Sequence, residues 1–378
     1  MKKIYALVFS ASVLLSACGP DNGSAYVISG NSVEMTLEEA AADISVVALK
    51  SQEPVDCSLS EVYGDDIFLI GADLGKMWYF HGDSLVSVLN SQGRGSGEYD
   101  YVDRWAYDQK NGKVYVFSNE KLAVLRYDVH TMRYEGMTPL EWQSRDFDLV
   151  NDSTFIMIRR MEDGDYGFSL VDIRTGHTIH ESDFRMTPNE AQLSYLNSAT
   201  YSPFKSPIGL ADISHRLGWI DENGDFSEVL NFRFEKSVPE KIIRLKGSDE
   251  PDDILEYMAF MASEQYCQGV MMPYIADDGY TFWYKNSNPS EDVSSITQLY
   301  SKYPERELNV SRLTVPGLAA GITPAGVTTD GRYFTFFIGP SEYYADPDTE
   351  PCELASRIFK ALDSQNDDNP VILFYRIR

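Results

Sequence analysis

The amino-acid sequence predicts an all-β fold, and three observations carry that reading. First, four stretches align without gaps: "MWYFHGDSLVSVL" from residue 77, "VLRYDVHTMRYEG" from 124, "FSLVDIRTGHTIH" from 168 and "LGWIDENGDFSEV" from 217. Each is an apolar strand closed by an apolar residue and Asp or His, then a short polar turn and a second strand. The anchors Phe80, Tyr127, Val171 and Ile220 are 47, 44 and 49 residues apart, the period of one four-stranded propeller blade. Second, Asn111-Gly112, Thr175-Gly176, Asn223-Gly224, Asp278-Gly279 and Asp330-Gly331 stand between strand-like runs, where glycine suits the positive φ of tight hairpin turns. Third, runs such as "KVYVFS", "DSTFIMIRR", "GYTFWY" and "RYFTFFIG" are short and rich in β-branched and aromatic residues, as strands are. Weaker copies near "ITQLYSKYPEREL" and the C-terminal "PVILFYRIR" bring the count to six. The expected fold is therefore a six-bladed β-propeller with two short helical insertions.

The N-terminus reads differently. Lys2 and Lys3 precede an apolar run from Ile4 to Leu15, which is too short to span a bilayer. "LSAC" then ends at Cys18. This order resembles a bacterial lipoprotein signal: an aliphatic residue, small residues, and a cysteine that is lipidated after cleavage before it. Residues 1–17 are expected to be the signal peptide, with Cys18 as the lipidated residue that holds the chain to a membrane. The location would be the cell envelope, at the outer membrane on its periplasmic face or the cell surface. "GPDNGS" reads as a flexible tether, within a segment over 18–40 that precedes the propeller at 41–378. "ISVVALK", residues 44–50, is expected to share a blade with "PVILFYRIR", because a ring must complete its last blade from the other terminus or leave sheet edges open.

Two segments break the β pattern. Residues 248–266 carry Pro251, acids in the first turn, and Ile254, Met258 and Met261 at helical spacing, which predicts a helix. It explains why Ile220 and the next anchor, Leu299, are 79 residues apart. Residues 349–365 place Leu354, Ile358 and Leu362 four apart on one helical face. Both helices are expected as packing decorations, the methionine-bearing one being the better contact surface.

Composition excludes some chemistry. With a net charge of −26, the chain repels nucleic acid and anionic headgroups. Cys57, Cys267 and Cys352 remain after Cys18, an odd set that permits at most one bridge; the pairing stays open beside three unpaired thiols. There is no Cys-x-x-Cys, and His177 and His180 would point to opposite faces of a strand, so no metal site is expected. "DENGDF" at 221 has Phe226 where a calcium loop needs glycine. Ser96 has Arg94 two residues before it, so there is no nucleophile elbow. The stretch "NSQGRGSGEYDYV", residues 90–102, is rich in glycine. Gly93, Gly95 and Gly97 nevertheless lack the Gly-x-Gly-x-x-Gly spacing of a dinucleotide loop, no Walker lysine follows, and a strand rather than a helix comes next. No nucleotide and no cofactor is expected; the loop reads as structural, with Gly95 or Gly97 at positive φ.

"GRGSGEY", followed by strand, hairpin and strand, resembles the signature loop of the six-bladed β-propeller lipoproteins of Bacteroidetes, which are related to NHL-repeat and TolB-like propellers. Gly93, Arg94, Gly95, Gly97, Glu98 and Tyr99 match that loop; Ser96 stands where proline is common, which leaves the turn without a fixed φ. The C-terminal "DDNPVILFYRIR" resembles the closing strand. The resemblance implies fold and envelope location more than an activity. The functional expectation is a binding or interaction module for a glycan or protein ligand, since propeller loops surround a channel mouth. Most of the 24 Tyr and 5 Trp fit packing between blades, with Trp78, Trp105, Trp219 and Trp283 in strand-like runs. The alternative is a hydrolase or lactonase holding a divalent ion in the channel, although 58 acids offer too many ligands to choose among.

Overall fold

A computed structural model describes residues 25–29, 32–186, 205–210, 215–243, 245, 250–275, 278–289, 295–323, 325–328, 333–339, 345–364 and 369–377. Three strands come first in the chain: β1 (Tyr26–Ile28), β2 (Val33–Thr36) and β3 (Ala41–Ala48), with a one-turn helix α1 (Leu37–Ala40) between the last two. Blade one is β4 (Cys57–Tyr63), β5 (Asp66–Gly71), β6 (Met77–His81) and β7 (Ser84–Leu89). Blade two is β8 (Trp105–Asp108), β9 (Lys113–Ser118), β10 (Ala123–Asp128) and β11 (Tyr134–Pro139); blade three is β12 (Ser144–Asn151), β13 (Thr154–Arg160), β14 (Tyr166–Asp172) and β15 (Thr178–Glu181). Blade four has β16 (Lys205–Leu210), β17 (His215–Asp221) and β18 (Phe226–Phe234), and blade five has β19 (Tyr266–Ile275), β20 (Tyr280–Ser287), β21 (Ser295–Tyr303) and β22 (Arg306–Thr314). Blade six has β23 (Gly326–Thr328), β24 (Phe334–Ile338) and β25 (Val371–Ile377).

The three leading strands complete the ring. β1 lies parallel on β18, β2 parallel on β22, and β3 antiparallel on β25, so one N-terminal segment covers the outer edges of three successive blades. The expected pairing of residues 44–50 with the C-terminal strand is present: Ile44 faces Tyr375 and Ala48 faces Val371. The sheets begin earlier than residue 41, however. Among the described residues blade four has three strands of its own, and Ile28 of β1 lies along the outer edge at 1% exposure. A capping box then turns the chain at α1, with Glu39 N donating to Thr36 Oγ1 at 3.3 Å and Thr36 N to Glu39 Oε2 at 3.0 Å. Blades six and one also join at their inner strands, where β23 pairs parallel with β4 and the Ser60 and Thr335 hydroxyls meet at 2.6 Å.

Among the described residues the core is divided among the gaps between blades, because alternate residues of a strand face opposite neighbours. On β6, Met77 and Tyr79 pack toward blade two while Trp78 and Phe80 pack toward blade six. On β10, Leu125 and Tyr127 face blade one and Val124 faces blade three. Strands buried on both sides therefore read as nearly continuous apolar runs. Each large side chain enclosed this way contributes about 1.5–3 kcal/mol.

The repeat anchors Phe80, Tyr127, Val171 and Ile220 are all fully buried. The Asp that follows three of them builds the turn: Asp128 accepts from Thr131, Asp172 from Arg174 and Thr175, and Asp221 from Asn223 and Asp225. The fourth copy differs in place. β17 and β18 are the second and third strands of their blade, whereas the first three copies are third and fourth strands. The pattern belongs to any hairpin of the meander, so spacing alone could not fix which hairpin it marked. Gly112, Gly176 and Gly224 adopt the expected positive φ. Gly279 does not; a Cβ there would lie 2.3 Å from the Tyr303 ring and 2.5 Å from Lys302 O, so close approach demands glycine. The Asp330-Gly331 turn lies outside the described residues. Both expected helices form, as α3 (Pro251–Ser263) and α4 (Glu353–Asp363), alongside the single turns α1 and α2 (Glu240–Ile243). α4 buries Leu354, Ile358 and Leu362, whereas α3 buries no residue fully and leaves Leu255 and Met258 exposed.

Candidate functional site

The glycine-rich stretch is the connection from β7 to β8, between blades one and two. Several of its backbone donors are bonded within the loop. Glu98 folds back so that Oε2 accepts from Gly95 N at 2.6 Å, Glu98 N donates to Gly95 O at 3.1 Å, and Gly93 N donates to Tyr99 O at 2.8 Å. A Cβ on Gly93 would lie 2.3 Å from that carboxylate oxygen. The glutamate thus occupies the position an anion would take in a phosphate loop. Gly97 sits at φ +73 with the Tyr134 ring 2.6 Å from where its Cβ would be. Tyr99 is fully buried, and its hydroxyl donates to Gly75 O at 2.8 Å, tying the loop to the β5–β6 turn; burial pushes its phenol up to about 12. Tyr127 OH donates to Gly97 O at 3.0 Å. Arg94 stays exposed beside Glu120, while Lys121 Nζ donates to Gly95 O at 2.8 Å. Among the predicted residues, Gly95 is therefore bonded to Glu98 and Gly93 to Tyr99, Gly97 is held by Tyr127, and Arg94 stays exposed; Cys18 lies outside the described residues.

A meander returns to the same end of the ring with every interblade connection, so the next connection, β11 to β12, lies at the same end. Here three arginines converge on residue 144. Arg104, just ahead of β8, donates from Nη1 to Ser144 O at 3.4 Å. Arg159, on β13, is the cross-strand partner of Ser144. Arg145 follows it, and the ladder passes from Ser144–Arg159 directly to Asp146–Ile158, leaving Arg145 as the extra residue of a β-bulge on the innermost strand. Bulges re-aim side chains at functional edges. Burial holds the Arg145 guanidinium below its ordinary range, and the neighbouring Arg104 charge adds to that. Burial does the same to Arg159, with Arg185 close by. Arg159 stacks over the Trp142 ring at 4.6 Å, donates to Ser169 Oγ at 2.8 Å and pairs with Glu181. Arg185 pairs with Asp163 at 3.3 Å. Half-buried guanidinium groups beside an indole can hold a carboxylate or sulfate in a fork while a ring face packs on the aromatic.

The opposite end of blades one and two carries a carboxylate cluster. Asp66 accepts from Tyr79 OH at 2.8 Å, His81 Nδ1 at 2.9 Å, Tyr107 OH at 3.1 Å and Gln109 Nε2 at 3.2 Å. Burial opposes its ionisation, but the four donors outweigh it and hold the carboxyl below its ordinary value. The bond to Asp66 raises His81. This cluster is filled by its own donors and stabilises the blade. Among the described residues no three His, Cys, Asp or Glu side chains gather as metal ligands. Cys57, Cys267 and Cys352 are unbridged; burial pushes Cys57 up and Cys267 up to about 11, while Cys352 caps α4 by accepting from Ala355 N.

Sequence reasoning picked out the glycine loop and missed Arg104, Arg145, Arg159 and Trp142. A signal was present: Arg104 and Arg145 are 41 residues apart, close to the blade period, and Trp142 is the tryptophan outside the strand-like runs.

Residues 21–261 match a family model described as a 6-bladed beta-propeller. No curated protein matches the chain. Among solved structures, a Bacteroides fragilis protein described as exported is 14% identical, with a TM-score of 0.63 over 93% of this chain and 99% of its own. A DUF4221-family member from Bacteroides vulgatus is 9% identical, with a TM-score of 0.49 over 89% of this chain and 97% of its own. BamB from Moraxella catarrhalis is 10% identical, with a TM-score of 0.42 over 88% of this chain and 100% of its own. The likeness to the Bacteroides fragilis protein is one of fold.

Proposed function

The chain belongs to this six-bladed β-propeller family, and from that premise we propose that it is an exported, lipid-anchored binding module that takes up an anionic glycan at the ring end around Arg104, Arg145 and Trp142. The observation that carries the reading is the pair Arg104 and Arg145. Arg104 reaches the carbonyl of Ser144, and the next residue, Arg145, stands on a bulge of the innermost strand, so two half-buried guanidinium groups come from neighbouring blades to one end of the ring. Asp103 already pairs with Arg104 at 3.5 Å and the Asp146 charge acts on Arg145, so an incoming carboxylate would add to a pair that is partly balanced. Trp142 carries Arg159 on its ring and packs against the core between blades two and three, so it anchors that arginine at the same end. Export and lipidation rest on Lys2, Lys3, the apolar run and Cys18, in keeping with the description of the Bacteroides fragilis relative as exported. The lipoprotein branch akin to NHL-repeat and TolB-like propellers is supported by the loop from Gly93 to Tyr99.

Calorimetric titration with polygalacturonate and with neutral dextran tests the ligand. Binding of the acidic polymer alone, weakened by added salt and reduced at least tenfold in Arg145→Ala and Arg104→Ala, is expected. Equal binding of both polymers, an unaffected Arg145→Ala, or preference for an acidic peptide instead would overturn the assignment. Metabolic labelling with a fatty-acid probe tests the anchor: Cys18→Ala should carry no label and leave the membrane fraction.

A further inference from the structure

The helix α3 is apolar on two sides. Tyr257, Phe260 and Met261 pack on Val238, Ile242, Ile243 and Tyr266. At about 3.6 residues per turn, Ile254, Leu255, Met258 and Ala262 gather on the side away from that contact. Ile254 is 41% exposed, Leu255 64% and Met258 60%, with Ala262 exposed beside them. Asp252 and Glu256 are segregated to the far flank of this stripe, and Glu256 pairs with Lys241 of α2. By contrast, α4 turns Leu354, Ile358 and Leu362 into the core. A contiguous apolar stripe left in solvent and kept clear of charge marks a contact surface.

The position of α3 selects what covers it. β1 lies parallel on β18, and Glu235 N donates to Ile28 O at 3.0 Å, so the end of β1 meets the end of β18. The chain continues from there through Ser237, bridged to Cys267, into α2 and then α3. Tyr26, where the tether joins the ring, is two residues back from Ile28, about 7 Å along a strand. Eight peptide steps separate Cys18 from Tyr26, a reach of at most about 28 Å. The lipid-bearing cysteine and the apolar stripe therefore belong to the same edge of blade four. A second copy is a poorer occupant. A helix of 13 residues is about 20 Å long and 10 Å across, so its stripe offers roughly 200 Å², against about 800 Å² per partner in a stable interface. Two copies would also bring like charges of −26 together. A bilayer needs only an apolar stripe, and the acids on its flank select a surface without net negative charge. No described helix is long and apolar enough to cross a membrane, so the contact is interfacial.

We infer that α3 lies on the bilayer that holds the anchor, inserting Ile254, Leu255 and Met258 among the lipids of a zwitterionic surface and fixing the orientation of the ring. The inference rests on the lipidation at Cys18 proposed above.

Tryptophan quenching by phosphatidylcholine brominated on its acyl chains tests this. Leu255→Trp probes the stripe, and Val86→Trp, on the exposed face of β7 in blade one across the ring, is the control. Each is read as the difference from the parent chain. Two forms are used: the lipidated protein, and the mature chain held to the vesicles through an N-terminal hexahistidine on nickel-chelating lipid. Melting temperatures confirm that both variants are folded. At least twofold quenching of Leu255→Trp in both forms is expected, with none for Val86→Trp, and loss of the effect when Met258→Asp is added. Quenching of the hexahistidine form in a chain that takes no fatty-acid label would support the helix contact and refute the lipid anchor alone. An unquenched Leu255→Trp in chains that float with the vesicles, equal quenching of Val86→Trp, or a dimeric mass in solution that Leu255→Asp halves would overturn the proposal, the last by giving the stripe to a second copy.

Discussion

Tyr375 on β25 lies directly opposite Ile44 on β3, so the sixth blade is built from the two ends of the chain. β25 also pairs with β24 from Val371 to Tyr375, and Val371, Ile372, Leu373 and Tyr375 are fully buried. Removing residues 371–378 takes a central strand from blade six and exposes β3 and β24 as open edges. The truncated chain is expected to be insoluble or to lose its single cooperative unfolding transition. A urea melt matching that of the full chain would show that the ring does not depend on this strand.

The edge strand on blade four should also matter. Ile28 is buried against Phe232 and Phe234, and Tyr26 OH donates to Glu307 Oε1 at 2.6 Å, linking β1 to blade five. Ile28→Ala removes a core side chain and is expected to cost about 2–5 kcal/mol. Deleting residues 19–24 should leave the melting temperature unchanged, whereas deleting 19–30 should lower it. A destabilisation equal for both deletions would contradict a structural role for β1.

In the glycine loop the two substitutions should separate. Gly97 has φ +73 and faces the Tyr134 ring, whereas Gly95 meets the end of the flexible Glu98 side chain. Gly97→Ala is expected to destabilise by about 1 kcal/mol or more, and Gly95→Ala by less. Because Glu98 fills the loop, ATP or NAD should not raise the melting temperature, and a clear rise would reinstate a phosphate site.

His81 and Asp66 give the stability a pH signature. The folded chain favours protonated His81, so that contribution is complete below the ordinary value of 6.5 and fades as pH rises through its raised folded value. Asp66 contributes fully above its ordinary 3.8 and loses this as pH falls through its lowered folded value. The pair is thus at full strength between those two ordinary values. In His81→Gln, which keeps a neutral donor, the fall in melting temperature between about pH 6.5 and pH 8.5 should be shallower than in the wild type. Identical slopes would mean that His81 does not titrate against Asp66.

The sequence by itself determined the blade count, the hairpins and the pairing of residues 44–50 with the C-terminal strand, because these follow from local rules. Turn chemistry acts over a few residues, as Asp128, Asp172 and Asp221 show, and a strand buried on both faces must be apolar throughout. It could not say that β1 and β2 join blades four and five, since three- and four-residue strands carry almost no periodicity and only the vacant edge selects them. Nor could it separate β17–β18 from the outer hairpins they resemble. The Glu98 carboxylate standing where a phosphate would sit was decided by the fold of the loop, since glycine spacing records freedom and not what fills it. The meeting of Arg104, Arg145 and Arg159 around Ser144 exists only in the tertiary structure. Convergence of side chains from separate blades depends on a bulge, a ladder register and the closure of the ring, and none of these is a property of a single segment.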